Sequence, residues 1–143
     1  MTRSQRQRVL ALTPSERLEP RWTALGIDRT HRRVRGPEIG MAMVRGRMGA
    51  TGNAFNLGEM TLTRASVTLE DGALGHGWVR GRDLQHAELI ALIDACSQQE
   101  DLRERIDSEL IAPLADELAT RHAEASRTAA ATRVDFFTMA RGE

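Results

Sequence analysis

Met60-Thr61-Leu62-Thr63-Arg64-Ala65-Ser66-Val67-Thr68-Leu69-Glu70-Asp71-Gly72-Ala73-Leu74-Gly75-His76-Gly77-Trp78-Val79-Arg80 is the stretch that decides the fold. Thr61, Thr63, Ala65, Val67 and Leu69 occupy alternate positions, the period of a strand with one buried face. Asp71-Gly72 is a strong hairpin turn, and Leu74 to Arg80 returns as the partner strand. Upstream, Ile39 to Arg47 alternates as well. It sets Met41, Met43, Arg45 and Arg47 on one side and Ala42, Val44 and Gly46 on the other. Ile27 to Arg35 is polar and reads as an edge strand whose arginines discourage further pairing. A glycine-bearing loop from Met48 to Gly58 lies between. The pattern predicts an antiparallel meander of three to four strands.

Helical sequence flanks the meander. Ser4 to Leu12 reads as a short helix. Thr13-Pro14-Ser15-Glu16 reads as the start of a second, with Thr13 as cap, Pro14 at the first helical position and Glu16 completing a capping box. Leu18, Trp22 and Leu25 share a face, Pro20 should bend or shorten this helix, and Gly26 ends it. Asp83 to about Ser97 is the longest amphipathic segment. It directs Leu84, Ala87, Ile90, Ala91 and Ala95 at the sheet, with Leu92, Ile93 and Cys96 widening the stripe. Asp101 to Ile111 follows, and Pro113 should separate it from a last helix beginning near Leu114. Residues 120–132 can be helical but have too weak an apolar face to bury. The expectation is an α+β fold, a single domain over 1–143: an N-terminal helical pair, the meander, then C-terminal helices.

The chain has 143 residues, is 41% hydrophobic and 28% charged, and carries a formal net charge of zero, ordinary values for a globular protein. Its 20 basic side chains are all Arg, so lysine-nucleophile and Schiff-base chemistry are excluded. Charge is uneven. Residues 1–47 hold eleven Arg against Glu16, Glu19, Asp28 and Glu38. That surplus points either to a polyanionic partner or to internal pairing with the acidic remainder. A lone Cys96 excludes an internal disulfide and fits a reducing compartment. With no signal-like or membrane-spanning apolar run, a cytoplasmic protein is expected.

No catalytic constellation emerges. Gly49-Ala50-Thr51-Gly52 lacks P-loop spacing and its lysine. His86 and Glu88 form H-x-E, but the P-C-x-x-C that zinc deaminases require is absent. His31, His76, His86 and His122 have no metal-ligand spacing. Cys96 lies on an apolar stripe and reads as an inert buried thiol. Arg45, Arg47, Arg64, Arg80 and Arg82 lie in or at the ends of strands, where they can bind phosphate or carboxylate bidentately or form salt bridges within the protein. The two N-terminal helices allow a helix–turn–helix DNA-binding regulator, though without a basic recognition face.

Taken in order, Arg47-Met48-Gly49, Thr51-Gly52, Thr61-Leu62-Thr63-Arg64-Ala65, Asp71-Gly72, Trp78-Val79, Gly81-Arg82-Asp83, His86-Ala87-Glu88, Asp94-Ala95 and Val134-Asp135-Phe136-Phe137-Thr138-Met139 resemble PhnG, a subunit of the bacterial carbon–phosphorus lyase system. The resemblance implies a hetero-oligomer with PhnI, PhnH, PhnJ and PhnL-like subunits and no binding of nucleic acid or membrane. It implies support for attack of an alkylphosphonate on the ATP ribose with loss of adenine. No cofactor is expected on this chain itself. ATP is the substrate of the complex, and an iron–sulfur cluster with S-adenosylmethionine belongs to PhnJ. It also implies a chain without a catalytic residue of its own, or one that only scaffolds. The candidates for partner or phosphate contact are Arg47, Arg64, Arg82, His86, Arg133, Phe136, Phe137 and Arg141.

Overall fold

A computed structural model describes residues 1–47, 52 and 54–141, the side chains of 47, 56 and 133–141 excepted. The elements run α1 (Arg3–Leu12), α2 (Ser15–Ala24), β1 (His31–Arg47), β2 (Ala54–Leu69), β3 (Leu74–Arg80), α3 (Leu84–Cys96), α4 (Glu100–Ile106), a π-helical turn (Asp107–Ile111) and α5 (Ala112–Arg141). The described strands form one antiparallel sheet in the order β1-β2-β3. The α+β order expected from the sequence is the one observed.

β2 alternates as its sequence predicts: Thr63, Ala65, Val67 and Leu69 are buried, and the residues between them are not. The turn after it closes with Leu69 N–H donating to Ala73 O and Asp71 Oδ1 accepting from the Ala73 amide. The two upstream segments are one strand rather than two. β1 runs unbroken for 17 residues, absorbing Gly36-Pro37 in the register shift between Arg35 and Glu38. β2 begins at Ala54, so the expected loop is shorter; most of it lies outside the described residues.

α3 is the buried middle layer. Ala87, Ala91 and Ala95, one turn apart, press on β3 at Gly75 and Gly77. A Cβ on either glycine would stand 2.0 or 2.1 Å from the carbonyl oxygen of Ala91 or Ala87. Ile90, Ile93, Ile106, Leu110, Ile111 and Leu114, with Leu10 and Leu18 of the N-terminal helices, complete the core. Leu84, expected on the sheet, is exposed at the first position of α3.

Three local expectations are corrected. Thr13 does not cap α2: its hydroxyl donates to Val9 O at the end of α1, and Pro14 stands at the cap position. Its carbonyl takes the amides of Arg17 and Leu18. Pro20 does not stop α2, which continues to Ala24 before Gly26 turns out at φ 66. Nor does Pro113 divide the C-terminal helices. The wider π turn precedes it, where a proline's missing donor and ring would otherwise collide with the preceding helical turn. From 123 to 132 the last helix is exposed throughout, as its composition predicts.

The uneven charge resolves internally in part. Arg3 pairs with Asp94, Arg6 with Asp107, Arg17 and Arg21 with Glu117, Arg29 with Asp101 and Arg33 with Glu88. Six of the eleven arginines of the first third are held against acids of the remainder. In particular, α2 turns its arginines onto α5 rather than toward a nucleic-acid groove.

Candidate functional site

The sheet has one face under α3 and one bare face. Residues directly opposite across an antiparallel pair point the same way. Glu38↔Arg64↔Trp78 and Arg35↔Ser66↔His76 are therefore two rows crossing the bare face. In the first row, Arg64 Nε donates to Glu38 Oε1 at 2.6 Å, and its guanidinium lies 5.9 Å from the Trp78 ring centroid. Arg35 reaches the same carboxylate at 3.2 Å. In the second row, Ser66 Oγ and His76 Nδ1 are 2.8 Å apart. Trp78 is 48% exposed, a large aromatic held on a flat polar surface.

Beside these rows, α1 and β3 enclose a groove of about 600 Å³ lined by Arg3, Ser4, Gln7, Arg8, His76 and Trp78. Its floor is the edge of β3. Asp94, on α3 and buried, accepts the His76 amide at 2.9 Å and a two-pronged contact from Arg3 at 3.0 and 2.6 Å. That carboxylate holds the Arg3 guanidinium above its ordinary pKa, with partial desolvation opposing. Gln7 Nε2 donates to the His76 carbonyl at 2.7 Å and Gln98 Nε2 to that of Leu74.

A second cleft of about 320 Å³ between α2 and α3 contains His86, Glu88, His31, Glu19 and Ser15. Several of its polar groups are already engaged. Arg33 donates twice to Glu88, with His31 3.5 Å away, and above all the Arg33 hydrogen bond holds the Glu88 carboxyl below its usual range. Glu88 is therefore ionised at neutral pH and has no proton to give. His86 Nε2 lies 3.1 Å from Leu10 O, and its amide donates to Asp83, the N-cap of α3. Ser15 Oγ donates to the other Asp83 oxygen.

The sequence-predicted residues thus separate. Arg64 is on the bare face and Arg82 is exposed in the turn after β3. His86 is buried, with 4% of its surface exposed, and orients structure rather than meeting a partner from the surface. Arg47 ends β1 opposite Ala54, and Arg133, Phe136, Phe137 and Arg141 lie in α5, but their side chains are outside the described residues. Sequence reasoning missed Glu38, Trp78 and Asp94. Only a cross-strand register could have aligned the first two with Arg64, and Asp94 looked like one more acid on a helix.

Cys96 is buried, and burial raises its pKa to about 11. At pH 7 roughly one thiol in ten thousand is ionised. In the native protein, modification by a thiol reagent should therefore run at least about a hundredfold slower than in urea. Equal rates would mean that α3 opens freely. Among the described residues no group of three or more His, Cys, Asp or Glu could hold a metal ion, and no helix is long and apolar enough to cross a membrane.

These features define a class: a small α+β protein with an open arginine-and-tryptophan sheet face. A family model described as "Phosphonate metabolism protein PhnG" matches residues 1–142. The chain is 43% identical over 143 residues to alpha-D-ribose 1-methylphosphonate 5-triphosphate synthase subunit PhnG of Rhizobium meliloti (strain 1021), covering 99% of this chain and 90% of that protein. The chain belongs to the PhnG family.

Proposed function

We propose that this chain, acting as one domain over 1–143, is a subunit of α-D-ribose 1-methylphosphonate 5-triphosphate synthase in organic phosphonate catabolism. Its identity to a protein of that name, along nearly its whole length, carries the reading. The partners would be PhnI, PhnH, PhnJ and PhnL-like subunits in the cytoplasm. The reaction joins a phosphonate oxygen to C1′ of the ATP ribose, and adenine leaves with the bonding electrons. The iron–sulfur and S-adenosylmethionine chemistry falls to PhnJ in a later step.

Both substrates are polyanions, and arginine is the side chain suited to their oxygens. Arg64 and Arg82 are the accessible candidates. Arg64 sits with Arg35 over a single carboxylate, so an incoming phosphoryl group meets two guanidiniums balanced by Glu38 alone. Such a pair can stabilise negative charge on oxygens without taking or giving a proton. A purely structural role is favoured by one observation: Arg64 already has its carboxylate and its aromatic partner.

Reconstitution with the other subunits separates the two. If Arg64 or Arg82 touches substrate, its change to Ala lowers adenine release by roughly tenfold or more while the complex elutes intact. Loss of the complex itself assigns the residue to assembly. Full adenine release without this chain would refute its place in the synthase.

A further inference from the structure

From Met41 to Val44, β1 and β2 extend past the last β2 residue that β3 pairs, Leu62. Ile39 lies opposite Thr63, whose side chain is buried under the helices, so Ile39, Met41 and Met43 continue the helix-covered face outward. There they are uncovered, at 46%, 66% and 56% exposure. Contiguous apolar surface of this kind marks a contact, and methionine adapts readily to a partner's relief.

The backbone of the same residues is open. On β3, His76 turns both its N–H and C=O away from β2. Backbone direction alternates along each strand. Ser66 and Arg64 must then bond toward β1, at Arg35 and Glu38. Glu38, Gly40, Ala42 and Val44 therefore satisfy β2, while Ile39, Met41 and Met43 aim their amides and carbonyls off the sheet. Each carries both an exposed apolar side chain and strand-pairing groups that no described strand takes up.

We propose that Ile39–Met43 receives an extended strand from another subunit of the complex, adding a fourth strand beside β1. The proposal rests on the reading of the chain as a synthase subunit. Charge selects a different subunit over a second copy. β1 carries Arg32, Arg33, Arg35, Arg45 and Arg47 against Glu38 alone, so a second β1 would bring the same positive charge alongside. The strand that fits is apolar at alternate positions and flanked by acids.

The test uses the full chain, free and co-expressed with the other synthase subunits of its own bacterium. In the free chain the amides of Ile39, Met41 and Met43 should exchange with deuterium quickly and those of Gly40, Ala42 and Val44 slowly. In the complex the first set should slow by about tenfold or more. The double variant Met41→Glu, Met43→Glu should keep its circular dichroism and melt within about 2 °C of the parent, both side chains being exposed. It should bind the subunits about a hundredfold more weakly, since two charges must be buried against an apolar strand. A complex that forms with the three amides still exchanging fast overturns the strand addition and leaves the subunit reading standing. A stable homodimer lost in the double variant assigns the edge to a second copy and overturns the proposal. Absence of any complex with the parent chain overturns both readings.

Discussion

Gly77→Ala should fail to give a stably folded protein. The added methyl would lie 2.1 Å from Ala87 O and 2.8 Å from the Ala91 amide nitrogen, well inside contact distance. Both obstacles are helix backbone, so no rotamer change relieves them, and α3 must lift from β3. Ordinary overpacking costs about 1–3 kcal/mol. Here the displaced helix carries much of the core, with Ala87, Ile90, Ala91, Ile93 and Ala95 all buried, so the loss should exceed about 3 kcal/mol, a large share of a small protein's stability. Gly75→Ala should behave alike, with Ala91 O at 2.0 Å. Gly40→Ala is the control: nothing lies within 4 Å of the added carbon. It should stay within about 0.5 kcal/mol of the parent in urea denaturation. If Gly77→Ala unfolds with the parent's midpoint, the close α3–β3 approach is refuted.

Asp94→Ala carries the next largest effect. The carboxylate joins three elements: its own α3, the Arg3 guanidinium of α1 and the His76 amide of β3. Truncation leaves that amide without its partner beneath α1, at about 1–3 kcal/mol, and removes a charge-assisted pair. Arg3 is 49% exposed on its side chain and can turn to water, so its share is discounted. The total should be about 3 kcal/mol. Asp94→Asn, which can still accept the His76 N–H, should recover more than half of it. Urea midpoints measure both, and hydrogen exchange at His76 reports the edge directly. A loss in the Ala variant below about 1 kcal/mol would mean that α1 needs no anchor at Asp94.

The sequence was legible where a period is set by one face meeting the core. β2 and β3, the Asp71-Gly72 turn and α3 follow from that alone. It was less so where two segments must be joined or divided. β1 looked like two strands because Gly36-Pro37 interrupts its alternation, and Pro113 looked like a terminus because a π turn leaves no local signature. The spacing Gly75-x-Gly77 against Ala87, Ala91 and Ala95 was a readable signal of close packing, small residues on both partners. Of the candidate site, Arg64 and Arg82 were legible as exposed arginines near strand ends. The role of Asp94 was not, because its partners lie 91 and 18 residues away along the chain, and nothing in a linear pattern pairs them.

The side chains along β3 have a consequence for how the sheet can grow. Gln98 occupies the Leu74 carbonyl, and Asp94 and Gln7 occupy the His76 amide and carbonyl, so the first half of that border offers a poor template to another strand. The opposite border, at Ile39 to Met43, stays available. In the language of valence, that half of the border is saturated, and no neighbour can join the sheet there. An uncapped sheet with two sticky borders is the geometry of a fibril. Capping part of one border with side chains lowers that risk while the other border keeps its pairing groups.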